Sequence, residues 1–172
     1  MLLKRILAFL IDYLVIALYA SMLFLINFYV RNTGDGPLLL SPARGQLFGF
    51  LTLTLPVFLY FFLTENSRQH ATIGKKILKI KIGNAGDNVL RSKCILIRNV
   101  LKFLPWEIAH TGVHWIVYYS AALAPIPIWV WILLCLPQLL LIFYFVSVVI
   151  SKGYSGFYDR IAGTRLNRMN IV

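Results

Sequence analysis

Four long apolar runs constrain this chain more than any other feature. They cover about 6–30, 46–63, 103–123 and 126–150. At a rise of about 1.5 Å per residue, each is long enough, or nearly so, to cross a hydrocarbon core about 30 Å thick. Asp12 interrupts the first run, the third is weaker and more polar, and Pro137 and Gln138 lie in the middle of the fourth. The first run is too long for a signal peptide, carries an acid and is not followed by a clear small-residue cleavage site. Hydrophobic residues make up 59% of the 172 and charged residues 13%, with a mean hydropathy of +0.76. Soluble domains hold about 45–50% and about 25% respectively, and a soluble fold of this size has no means of hiding so much apolar surface. A disordered chain, a soluble enzyme domain and a disulfide-rich secreted module are all excluded. The expected fold class is an all-α membrane protein: a four-helix transmembrane bundle forming one domain over 1–172.

Charge sets the expected orientation. The chain carries 17 Lys and Arg against 6 Asp and Glu. Four spans with both termini inside put fifteen of those basic residues on the inner side and leave only Arg31 and Arg44 outside. Cytoplasmic loops accumulate Lys and Arg in this way, so the expected location is a cell (inner) membrane, multi-pass, with both termini cytoplasmic. In so apolar a chain the basic surplus points to an anionic membrane surface rather than to nucleic acid. Lys75, Lys76, Lys79 and Lys81 of the inner loop, 64–98, are the expected contacts to lipid headgroups. Leu78 to Ile82 alternates apolar and basic with period two, as a half-buried strand does, and Asn84 to Asp87 reads as a turn. A short strand or hairpin is expected there, with Thr164 to Leu166 as a candidate partner. The outer loop, 31–45, reads as turn-rich from Gly34, Gly36, Pro37 and Pro42.

Asp12 is the most informative single residue, because a carboxylate inside a span is costly and often functional. Arg5 lies seven residues before it on the same helical face. The site is either an ion or ligand site or a clamp to a basic group. Glu107, His110 and His114 form a polar stripe in the third run, within an arc of about 60°. Such a stripe either packs helices together or supplies metal ligands; packing is expected, with no metal, because one helix rarely completes a metal site. Gly74-Lys75-Lys76 lacks the upstream glycine of a phosphate loop and is followed by Ile77. Gly45 and Gly49 permit close helix approach. Pro137 is expected to kink the fourth run, with Gln138 bonding to the freed carbonyls. Cys94 and Cys135 have neither a zinc nor a redox spacing. No Ser-His-Asp or Cys-His arrangement is evident, so no enzyme activity and no cofactor are expected.

Several segments, in order, resemble the RDD family of small membrane proteins, named for one arginine and two aspartates. Lys4 to Asp12 resembles its opening, with Arg5 and Asp12 as the arginine and first aspartate. Ala71 to Leu78 is similar to a T-P-G-K-like segment, with Ile73 in place of the proline. Arg98-Asn99 resembles an arginine–asparagine pair, and Glu65 sits where members often carry an acid. Phe157 to Thr164 resembles the closing motif, with Asp159 as the second aspartate. The resemblance implies transport or exchange of ions or small ligands through intramembrane carboxylates. It also implies that Asp12 and Asp159 approach one another, with Arg5, Arg98 and Arg160 as counter-charges. The alternative is a non-transporting scaffold, assembly factor or regulatory module whose basic inner face binds lipid or protein. Expected partners are the bilayer, anionic headgroups and a further copy of the chain.

Overall fold

A computed structural model describes residues 1–33, 41–86 and 89–169. The turn readings at Gly34, Gly36, Pro37 and Asp87 lie outside the described residues. In chain order the elements are α1 (Leu2–Thr33), α2 (Pro42–Gly49), a π-helical segment (Phe50–Thr54), α3 (Leu55–Glu65), α4 (Ile73–Ile77), β1 (Ile80–Asn84), α5 (Ser92–Ala121), α6 (Ile128–Ile150), α7 (Phe157–Ile161) and β2 (Thr164–Arg168). Three helical stretches are long and apolar enough to cross a membrane: Leu2–Val30, Pro42–Glu65 and Ile128–Ile150. Their apolar side chains stay on the outside; Leu18 is 74% exposed and Leu25 64%. Such a surface suits hydrocarbon, where only internally hydrogen-bonded backbone survives. α5 is as long as these helices, but Arg98, Lys102, Glu107, His110 and His114 leave it more polar.

Prolines within the long helices shape the contacts between them. Proline has no N–H to donate and crowds the carbonyl four residues back. Pro56 follows the π-helical segment, and the carbonyl it releases, that of Thr52, accepts a hydrogen bond from the Tyr19 hydroxyl of α1 at 2.6 Å. Pro105 lies within α5, and the carbonyl of Leu101 accepts from the Tyr144 hydroxyl of α6 at 3.1 Å. Each backbone defect thus becomes a bond between helices, as membrane helices require. Pro137 differs: Gln138 beside it is exposed and makes no hydrogen bond among the described residues, so the expected side-chain repair is absent.

The densest packing lies at the end of the molecule that carries the N-terminus and the sheet. β1 and β2 pair antiparallel, from Ile80 opposite Arg168 to Asn84 opposite Thr164. Ile80, Ile82 and Leu166 are buried with Ala71, Ile95 and Ala162, while Lys81 faces out. The period-two alternation is therefore a real strand, and its partner is the C-terminal segment. Gly153, at φ +87°, closes α6 against the start of α1, where a Cβ would lie too close to the Leu2 backbone. α5 begins ahead of the apolar run, at Ser92 rather than near 103, because its first three turns are helical but basic.

Candidate functional site: a buried charge network beneath an apolar chamber

Asp12 sits in the third turn of α1, 2% exposed. Its carboxylate accepts three neutral donors: Thr72 Oγ1 at 2.6 Å, the Gly74 amide at 2.9 Å and the Tyr60 hydroxyl at 2.9 Å. Thr72 is the N-cap of α4, and its own Oγ1 accepts from the Lys75 amide. Gly74 is required by close approach, since a Cβ would overlap the carbonyl oxygen of Ala8. Asp12 therefore binds the segment that follows α3 to α1. No cation lies within ion-pair distance of it among the described residues. Arg5 shares the helical face but does not pair with Asp12, because two turns is a long reach and Arg5 has a nearer partner.

That partner is Asp159, 1% exposed in α7. Its carboxylate accepts Arg5 Nη2 at 2.5 Å, Arg98 Nε at 2.6 Å and the Gly156 amide at 2.7 Å. Burial pushes this carboxyl up, but Arg98 and Arg5 outweigh burial and hold it down at about 2. Arg98 also donates through Nη1 to Glu65 at 2.7 Å. Glu65, fully buried at the end of α3, accepts Asn99 Nδ2 at 2.9 Å and pairs with Lys75 Nζ. Burial pushes the Lys75 ammonium down, with Glu65 opposing. Tyr158 completes the group: its hydroxyl accepts Arg5 Nη2 at 2.8 Å, and both guanidinium carbons lie over its ring, at 5.6 and 5.5 Å. One chain of ion pairs thus runs Arg5–Asp159–Arg98–Glu65–Lys75 and joins α1, α7, α5, α3 and α4.

The other expected residues fall elsewhere. Lys75 is buried in this network rather than directed at headgroups, whereas Lys76, Lys79 and Lys81 are exposed. Arg160 is exposed and pairs with no carboxylate among the described residues. Asp12 and Asp159 hold separate partners rather than sharing one site. His114 fills the notch left by Gly45 and Gly49, where added Cβ atoms would lie 3.0 and 3.3 Å from its ring nitrogens. Gln46 bonds Thr111 at 2.6 Å, and the His110 ring lies 4.6 Å from that of Trp106. Glu107 Oε1 is buried without a hydrogen-bond partner, and no group of three metal-ligating side chains exists among the described residues. Tyr60, Thr72 and Tyr158 are not marked out by the sequence pattern, although Thr72 and Tyr158 lie inside the quoted motifs; Asn99 stands there only as the neighbour of Arg98.

Above the network lies a chamber of about 590 Å³. Phe9, Tyr13, Val57, Phe61, Trp106 and Phe145 are among its walls, drawn from α1, α3, α5 and α6, with Arg5, Lys102 and Tyr158 at its base. Nothing in the sequence distinguishes Lys102 from the other basic residues of the chain. Its ammonium lies 3.3 Å over the Phe61 ring and makes no ion pair among the described residues.

No curated protein and no solved structure matches the chain. The family model described as RDD family matches residues 1–163, a stretch that holds every member of the network from Arg5 to Asp159. The chain belongs to the RDD family.

Proposed function

We propose that the protein is a small-ligand transporter of the cell membrane, with its cargo in the chamber rather than on the carboxylates. The chamber carries this reading: about 590 Å³ of apolar space with two cations at its base is of the size and character of a ligand site. An ion exchanger working through carboxylates needs oxygens free to take up a cation. Here Asp12, Glu65 and Asp159 each have donors on both oxygens. The proposal assigns no catalytic chemistry.

The reading includes four crossings with both termini cytoplasmic. Support comes from the layout. α6 ends beside the start of α1, β2 pairs with β1, and α5 starts at that same end, where Arg98 bonds Glu65. α5 must then run the length of α6 to meet its far end through the short link 122–127. The fifteen-to-two basic split fits that end facing the cytoplasm. Lys76, Lys79 and Lys81 would then lie near anionic headgroups, and association with a further copy remains part of the proposal.

A second reading, a non-transporting scaffold, assembly factor or regulatory module, is favoured by one observation: Glu65 and Asp159 are fully paired, as in a fixed structural latch. Native mass spectrometry followed by counterflow separates the two. Wild-type protein in mild detergent should retain a small molecule that Leu53→Trp and Leu141→Trp, which fill the chamber from opposite walls, exclude. Proteoliposomes should exchange that molecule. Identical spectra for all three proteins would remove the chamber as a ligand site, and retention without exchange would favour the module.

A further inference from the structure

Two basic residues, Arg5 and Lys102, line the chamber, and they differ in whether they have a partner. Arg5, Lys75 and Arg98 each hold a carboxylate. Lys102 holds none among the described residues. Its contact with the Phe61 ring offsets only part of the cost of removing an ammonium from water, and a buried lysine keeps its proton only where an anion is supplied. On α5 a long side chain leans toward the helix N-terminus, which brings the Lys102 ammonium back toward Arg5 and the network end. Both face the chamber. The chamber is not enclosed. α1 and α6 both line it without close packing between them, and α1 is held chiefly by α4 at its base. A gap between two spans opens onto lipid, not onto water.

We propose that the chamber takes one acyl chain of an anionic lipid, admitted sideways between α1 and α6, with the acidic headgroup held by Lys102 and Arg5. The inference rests on the reading of the chamber as a ligand site and names the ligand's class. The walls match the chain: Phe9, Val57 and Phe145 offer hydrocarbon and no competing hydrogen bonds. The base matches the head, because a net negative headgroup supplies the anion that Lys102 lacks among the described residues. A zwitterionic lipid brings its own ammonium and adds no net counter-charge.

Trp106 lines the chamber and reports on it. The test uses the full chain with Trp115→Phe, Trp129→Phe and Trp131→Phe, in vesicles of unlabelled phosphatidylcholine. A small fraction of phosphatidylglycerol or of phosphatidylcholine carries brominated acyl chains that quench tryptophan on contact. Brominated phosphatidylglycerol should quench Trp106 at least twofold more than brominated phosphatidylcholine at the same fraction. Lys102→Gln should abolish the difference, and Lys102→Arg should keep it. Lys102 makes no ion pair among the described residues, so both variants should fold. Equal quenching by the two lipids, or a preference that survives Lys102→Gln, overturns the headgroup assignment. The retained-mass experiment reports separately on the chamber: a ligand excluded by Leu53→Trp but indifferent to Lys102→Gln defeats this inference and leaves the ligand site standing.

Discussion

Arg5 and Asp12 lie two turns apart on one helix and take different partners: Arg5 holds Asp159 at 2.5 Å, while Asp12 accepts Thr72, Gly74 and Tyr60. The first aspartate binds the loop between α3 and α5 to α1, and the second binds the C-terminal segment to α1 and α5. Removing either one loosens a different piece of the same end.

For Asp12 the neutral donors decide the outcome. Asn keeps one acceptor oxygen for the Gly74 amide and Tyr60, and the Thr72 hydroxyl can turn to accept from its amide. Asp12→Asn should therefore cost on the order of 1 kcal/mol, and Asp12→Ala, which strands three buried donors, about 2–4 kcal/mol. Arg5→Gln should not rescue Asp12→Asn. Thermal unfolding in detergent checks both statements, and a rescue would show that Arg5 and Asp12 are coupled after all.

Asp159→Asn leaves Arg5 and Arg98 facing each other without a shared counter-charge. Breaking a buried pair from one side costs about 3–5 kcal/mol, so this variant should be the least stable of the conservative set. Wild type should also weaken in acid. The Asp159 carboxyl titrates at about 2 in the folded protein against 3.8 as its ordinary value. Its contribution is complete above about pH 4 and is lost as the pH falls toward 2. Melting temperature measured from neutral pH downward should fall through that window, and the fall should be shallower in Asp159→Asn.

The tyrosine bonds to proline-released carbonyls give a double-mutant test. Tyr19→Phe and Tyr144→Phe should each cost about 1 kcal/mol. Pro56→Ala returns an amide donor to the Thr52 carbonyl, and Pro105→Ala does the same for Leu101. In those backgrounds the corresponding Tyr→Phe cost should largely vanish. Costs that simply add would mean that the hydroxyls and prolines act independently.

Orientation is checked by single cysteines in a background lacking Cys94 and Cys135. A cysteine at Ala122 should react with an impermeant maleimide in intact cells, and one at Ala85 should not. Reaction at Ala85 alone would invert the orientation.

Much of the fold is legible in the residues, and the failures have physical causes. The apolar runs mark the helices because lipid selects composition directly. Ile80 and Ile82 mark β1 because alternate residues face opposite sides. The start of α5 is missed because hydropathy locates the buried part of a helix, not its hydrogen bonds, and Ser92 to Lys102 is helical but basic. Lys75 and Lys76 are chemically alike, and only the five-residue α4 turns one toward Glu65 and the other outward. Partners of Asp12 are out of reach of any periodicity, since Thr72 and Gly74 lie on an element 60 residues away. The residues that carry the family resemblance, Arg5, Asp12, Glu65, Arg98 and Asp159, are all buried at this end, whereas Arg160 is exposed, and the resemblance does not give their pairing.

Proton-coupled cation flux separates carboxylates that fasten the fold from carboxylates that carry ions. Purified protein in vesicles with an internal pH dye is given an outward proton gradient and then external sodium or potassium. Wild type and Asp12→Asn should both give the slow leak of protein-free vesicles. Rapid cation-dependent alkalinisation by wild type, abolished in a well-folded Asp12→Asn protein, would contradict the account and make Asp12 an ion-carrying carboxylate.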